Sequence, residues 1–123
     1  MEVSKTELKV LEVIWQGHPV SSNEIIERLN QQGEWHEKTV KTLISRLVKK
    51  QAISFQKENR RYLYSPLISE ENYQMQQSTS LISGFFKGKV SPLIAMFAQH
   101  NQLKKEDIQE LKQLIDDWEK END

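Results

Sequence analysis

Apolar residues recur along the chain at helical spacing in three early blocks, at strand spacing over one short stretch, and at helical spacing again to the end. The first block holds Leu8, Leu11 and Trp15, widened by Val10, Val13 and Ile14. Ser4 and Glu7 precede it as Ser-x-x-Glu, a capping box in which the hydroxyl accepts from the N3 amide and the carboxylate from the N-cap amide. Val3 and Leu8 fall at staple positions, and Gly17 and Pro19 close the helix. The second block repeats the device with Ser21 and Glu24, the staple pair Val20 and Ile25, a buried face of Ile25, Ile26 and Leu29, and Gly33 at its end. A third helix is predicted from Glu37 or Lys38 to about Lys50. Its stripe is Val40, Leu43, Ile44, Leu47 and Val48, spaced i, i+3, i+4, i+7, i+8.

What lies opposite that stripe changes the picture. At about 100° per residue, Lys38, Lys41, Thr42, Ser45 and Lys49 share the far face, with Thr39, Arg46 and Lys50 beside it. No acid occurs between Lys38 and Lys50. A merely solvated helix would mix charge signs for i, i+4 pairing, whereas a helix facing phosphates and base edges is basic with small hydroxyls. Two alternating runs follow, Ile53–Lys57 and Arg61–Ser65, with Glu58-Asn59-Arg60 as the turn. Lys57, Arg60 and Arg61 would sit at the tip of this hairpin. Three helices followed by a basic hairpin is the order of a winged helix-turn-helix.

Beyond Pro66 the pattern is helical throughout. Ser69 to Phe86 reads as one helix, with Glu70 and Glu71 in its first turn and Gly84 and Gly88 breaking it. Ser91-Pro92 reads as N-cap and N1 of the next, running through Leu93, Ile94 and Phe97. A last helix over about 104–120 carries Ile108, Leu111, Leu114, Ile115 and Trp118. Three such helices make a thin core alone. The expectation is a mainly α fold with a small β-wing: a winged-helix DNA-binding domain over 1–68 and a helical dimerisation domain over 69–123. Leu93, Ile94, Phe97, Ile108, Leu111, Ile115 and Trp118 would form the face that meets a second copy. Folding back onto the winged domain is the alternative.

Charge sharpens this division. The net charge is only −1, yet residues 1–66 carry eleven Lys/Arg against eight Asp/Glu, and residues 67–123 carry six against ten. Local charge decides polyanion binding, because each phosphate contact releases condensed counterions. Cysteine is absent, which removes disulfides, thiolate metal sites and cysteine nucleophiles. His18, His36 and His100 are scattered without ligand spacing, so neither metal nor cofactor is expected. No nucleophile–base pairing is visible, and an enzyme is not expected. No apolar run approaches the roughly 20 residues that span a bilayer, and Met1-Glu2-Val3-Ser4 has no signal-peptide pattern, so membrane insertion is not expected and a cytoplasmic protein is.

Four stretches resemble a known family. They are Val-Ser-x-x-Glu-Leu-x-Val-Leu-x-x-Ile-Trp at 3–15, Ser-Ser-Asn-Glu-Ile-Ile at 21–26, Trp-x-x-Lys-Thr-Val-Lys-Thr-Leu-Ile-Ser-Arg-Leu-x-Lys-Lys at 35–50, and Ile82 through Phe97. Together they are similar to the penicillinase-repressor family, the beta-lactamase and methicillin-resistance repressors, with copper-responsive relatives. The resemblance implies a homodimeric transcriptional repressor on inverted-repeat operators of the TACA/TGTA type, and it implies Lys38, Thr39, Lys41, Thr42 and Arg46 as DNA-facing residues. It also implies relief of repression through a membrane sensor protease. Where the family is cut at Asn-Phe, this chain has Met96-Phe97. Three further departures stand out: His36-Glu37 where Ser-Pro is common, Lys41 for a commoner Arg, and Gln51 where Gly often ends the helix. Copper sensing through a cysteine cluster is excluded. A winged helix used for protein interaction, without sequence-specific DNA binding, is the alternative function.

Overall fold

The computed structural model describes residues 2–123; Met1, part of the N-terminal segment read above for a signal pattern, lies outside the described residues. The chain divides into two compact units, one reaching to Met75 and the other Gln76–Asp123.

The first unit contains helices α1 (Lys5–Gln16), α2 (Ser22–Asn30) and α3 (Glu37–Lys49), the strands β1 (Val20–Ser21), β2 (Ile53–Glu58) and β3 (Arg61–Pro66), and the start of α4 (Glu70–Phe86). The Ser4–Glu7 box forms in both directions: the Glu7 amide donates to Ser4 Oγ at 3.1 Å and the Ser4 amide to Glu7 Oε1 at 2.8 Å. The second box forms only in half. Ser21 Oγ accepts from the Glu24 amide, but the Glu24 carboxylate takes the Ser21 hydroxyl rather than the backbone. Ser21 is also a strand residue, paired with Leu63, and this short β1 escapes the sequence pattern because two residues have no period. The end of α1 is closed by a side chain from α2. Arg28 donates to the Gly17 carbonyl at 3.0 Å, and a Cβ on Gly17 would stand 3.2 Å from that guanidinium.

The core of this unit is Val10, Leu11, Val13 and Ile14 from α1, Ile25 and Leu29 from α2, and Val40, Leu43, Ile44 and Leu47 from α3, closed by Val20, Ala52 and Ile53. Each predicted stripe supplies the buried face of its helix, with Leu8, Trp15, Ile26 and Val48 only half-buried. Trp15 lies at the edge, where its indole donates to the Ile68 carbonyl at 2.9 Å and its ring meets Tyr73 of α4 at 5.7 Å. The sheet is antiparallel in the order β1-β3-β2. Register pairs Glu58 with Arg61, so the hairpin turn is Asn59-Arg60 alone, shorter by one residue than expected, and both have positive φ (49° and 73°). This is the pattern of a type I′ turn, whose twist matches the strands. Gln51 leaves α3 with φ 61°, the left-handed geometry for which glycine is preferred.

In the second unit α4 runs to Phe86 without a break at Gly84. Helix propensity of the flanking residues outweighs one glycine, which costs about 1 kcal/mol. The chain turns instead at Lys87 and Gly88, with φ of 53° and 81°. Helix α5 is Ser91–Gln99 with Val90, not Ser91, at the N-cap, so Pro92 sits one position further in than expected. Helix α6 is Lys105–Glu121, its first turn held by the Lys104 amide donating to Asp107 Oδ2 at 3.0 Å. No residue of α5 or α6 is buried. Among the described residues no single helix is long and apolar enough to cross a membrane; only α4 and α5 together reach that length, bent by 78° at the break between them.

Candidate nucleic-acid interface

Helix α3 has two chemically opposed faces. Val40, Leu43, Ile44 and Leu47 are buried, while Lys38, Thr39, Lys41, Thr42, Ser45, Arg46 and Lys49 are all exposed. The exposed set is the one predicted to face DNA. The Thr42 hydroxyl donates to the Lys38 carbonyl at 2.9 Å. What it offers outward is therefore chiefly a methyl group, the surface that suits a thymine C5-methyl.

Two cations of the helix are engaged within the chain. Lys41 Nζ lies 2.8 Å from Glu37 Oε1, and the ammonium holds that carboxyl below the ordinary carboxylate range. Lys50, at the C-cap, is drawn toward α1 and is about one-third exposed. Its Nζ donates to Glu7 Oε1 at 2.6 Å, the same oxygen that caps α1. Glu7 is 1% exposed, and its Oε2 has no partner. Burial pushes its carboxyl up, but hydrogen bonds from Lys50 and Ser4 outweigh this and hold it below the usual range. The pair joins the first turn of α1 to the end of α3, which makes it a structural anchor of α3.

The hairpin stands beside α3 and leaves a groove of about 340 Å³, lined by Ser45, Val48 and Lys49 on one side and Phe55, Tyr62 and Tyr64 on the other. Phe55 meets Tyr62 edge-on at 4.9 Å, and both rings are nearly half exposed. Burial and the neighbouring Tyr62 push the Tyr64 hydroxyl pKa up, so it stays protonated. Strand alternation separates the three basic residues of the wing. Lys57 shares the face of Phe55, toward α3; Arg61 lies with Glu58 on the other face, and Arg60 occupies the turn. The sequence pattern grouped these three as one tip; the register distributes them.

In the second unit, Leu93, Ile94, Phe97, Leu103, Leu111 and Leu114 line a groove of about 310 Å³ between α5 and α6, with Asp107 and Glu110 at its edge. Ile108, Ile115 and Trp118 remain exposed (40%, 57% and 64%), as do Met96 and Phe97. Among the described residues no cluster of His, Cys, Asp and Glu could hold a metal ion.

Comparison with known proteins gives this surface its context. The family model described as Penicillinase repressor matches residues 3–117. The penicillinase repressor of Bacillus licheniformis is 34% identical over 116 residues, which is 94% of this chain and 91% of that protein. The methicillin resistance regulatory protein MecI of Staphylococcus aureus is 33% identical over 114 residues, 93% of each chain. Among solved structures, the DNA-binding domain of the repressor BlaI matches with a TM-score of 0.54 and 39% identity, over 58% of this chain and 88% of that domain. The monomeric form of B. licheniformis BlaI in complex with the blaP half-operator matches with a TM-score of 0.52 and 38% identity, over 59% of this chain and 89% of that one.

Proposed function

Because the chain belongs to the penicillinase-repressor family, whose members are transcriptional repressors and not enzymes, we propose that it represses transcription as a homodimer on inverted-repeat operator DNA of the TACA/TGTA type. The observation that carries this reading is the face of α3, where seven basic or hydroxyl side chains stand exposed opposite the buried Val40, Leu43, Ile44 and Leu47. A two-fold dimer presents two such helices about 34 Å apart or a multiple of that, which calls for an inverted repeat. The winged helix would supply DNA contact, and residues 69–123 would supply dimerisation through Leu93, Ile94, Phe97, Ile108, Leu111, Ile115 and Trp118.

The testing experiment is a titration of purified protein against a TACA/TGTA inverted repeat and a scrambled duplex at near-physiological salt. The reading requires a preference of about a thousandfold or more; equal weak binding to both would end it. Within that assay, Thr42→Ala and Arg46→Ala are each expected to cost about 1–3 kcal/mol on the operator and less on scrambled DNA. A uniform loss on both would make them phosphate contacts instead. Lys57→Ala, on the α3 side of the wing, is expected to reduce the slope of log affinity against log salt by about 1, with base preference intact. An unchanged slope would remove Lys57 from the contact set.

For induction, the family resemblance points to a membrane sensor protease, and the matching bond here is Met96–Phe97, with Met where the family has Asn. Both residues are nearly half exposed, but the bond lies within α5. Cleavage would require that helical turn to open first.

A further inference from the structure

One acid stands on the recognition helix, at its first residue, and it does not serve the helix amides. His36, at the N-cap, makes no side-chain capping bond. Glu37 reaches forward to Lys41 instead, with Oε1 and Nζ 2.8 Å apart and both side chains more than half exposed. The N-terminal part of such a helix is the part that meets base edges in the major groove. An isolated carboxylate there would face the phosphates unfavourably. Paired with Lys41, it presents an acceptor and a donor side by side.

That arrangement is complementary to the edge of a C·G pair in one orientation, where one ammonium can also bridge two adjacent guanine acceptors. In a C·G pair the major groove shows the guanine acceptors N7 and O6 next to the cytosine N4 donor. Guanine O6 and cytosine N4 are hydrogen-bonded to each other and so lie about 2.9 Å apart, the separation of an ordinary N–H···O bond. The Glu37–Lys41 pair has nearly the same spacing with the opposite polarity. A T·A pair in the same orientation reverses the polarity, with the thymine O4 acceptor where cytosine N4 donates and the adenine N6 donor where guanine O6 accepts.

We propose that Glu37 is a specificity-determining residue: Glu37 accepts from cytosine N4 while Lys41 donates to guanine O6 or N7 of the same pair, once in each half-site. The inference rests on the repressor reading above. A TACA half-site contains one such pair. Glu37 also keeps Lys41 off the phosphates, which lowers binding to unrelated DNA.

The test uses the full chain and Glu37→Ala against three duplexes: the TACA/TGTA repeat, the same repeat with its C·G pairs changed to T·A, and a scrambled sequence, each across a salt series. The parent chain is expected to lose at least tenfold on the changed repeat, the lower range of discrimination by one well-placed pair of contacts. Glu37→Ala is expected to lose less than about twofold there, still to prefer either repeat over scrambled DNA, and to show a salt slope steeper by about 1 as Lys41 is released to a phosphate. Equal losses by the two proteins on the changed repeat would overturn the proposal and reduce Glu37 to a first-turn charge, whatever the slope. A parent chain that failed to distinguish the repeat from scrambled DNA would overturn the repressor reading and this inference with it.

Discussion

A full-length chain carrying Leu114→Glu and Trp118→Glu is expected to sediment as a monomer and to bind a two-half-site operator at least a hundredfold more weakly than its parent. The two side chains are 65% and 64% exposed within the chain, so their replacement removes little from the fold of a single copy. Neither α5 nor α6 buries a residue, and an amphipathic helix with no buried face is stabilised only when another surface covers it. Covering a Leu or Trp side chain contributes about 1.5–3 kcal/mol, and in a two-fold interface every substitution is made twice. Four new carboxylates in such an interface would abolish it. Linked half-site binding contributes about 10²–10⁴ in avidity, and that factor is what the variant would lose. On a single half-site the two proteins should bind alike. A variant that remained dimeric would move the interface off the α6 stripe, and equal weakening on half-sites and whole operators would point to damage in the winged helix.

The second large effect concerns stability. Lys50→Met is expected to destabilise the fold by about 2–4 kcal/mol at neutral pH, below the top of the range for breaking a buried ion pair because Lys50 is itself about one-third exposed. The substitution keeps most of the aliphatic stem but leaves the buried Glu7 carboxylate without its cation, with Oε2 already unpartnered. The sign of the pH dependence follows from Glu7. Its folded pKa is depressed, so its contribution is fully present above the ordinary carboxylate value and is lost as pH falls through the lower folded value. The deficit of Lys50→Met should therefore shrink on acidification, as Glu7 becomes neutral in both proteins. Urea unfolding at several pH values would measure this, and a deficit independent of pH would mean that the pair acts through packing alone. In DNA titrations the same variant should leave the salt slope unchanged, because Lys50 is turned inward.

Local features of this fold could be read from local residues. The three apolar stripes, the Ser4–Glu7 box and the alternating hairpin each express a period or a spacing within a few positions, and the structure has them where the pattern put them. What escaped the pattern depends on partners far along the chain. Lys50 looks like one more base on a basic helix until Glu7, 43 residues away, arrives beside it. Arg28 looks like a surface charge on α2, and becomes the cap of α1 only when the two helices cross. Strand β1 exists because β3 lies next to it. Gly84 was expected to break a helix that continues through it, since a propensity of about 1 kcal/mol is easily outvoted by its neighbours. On the candidate interface, charge and periodicity point to the exposed face of α3, but the Glu37–Lys41 pair depends on side-chain placement and the division of the wing bases on strand register.

The turn at the tip of the wing sets stability and affinity against each other. Arg60 is held at φ 73°, a conformation costing a side-chain-bearing residue about 1 kcal/mol that glycine would not incur. Selection for a sturdier protein would put glycine there, and selection for grip on a polyanion would keep the arginine. At position 60 the chain thus accepts a backbone cost of about 1 kcal/mol together with a cation at the exposed tip of the wing.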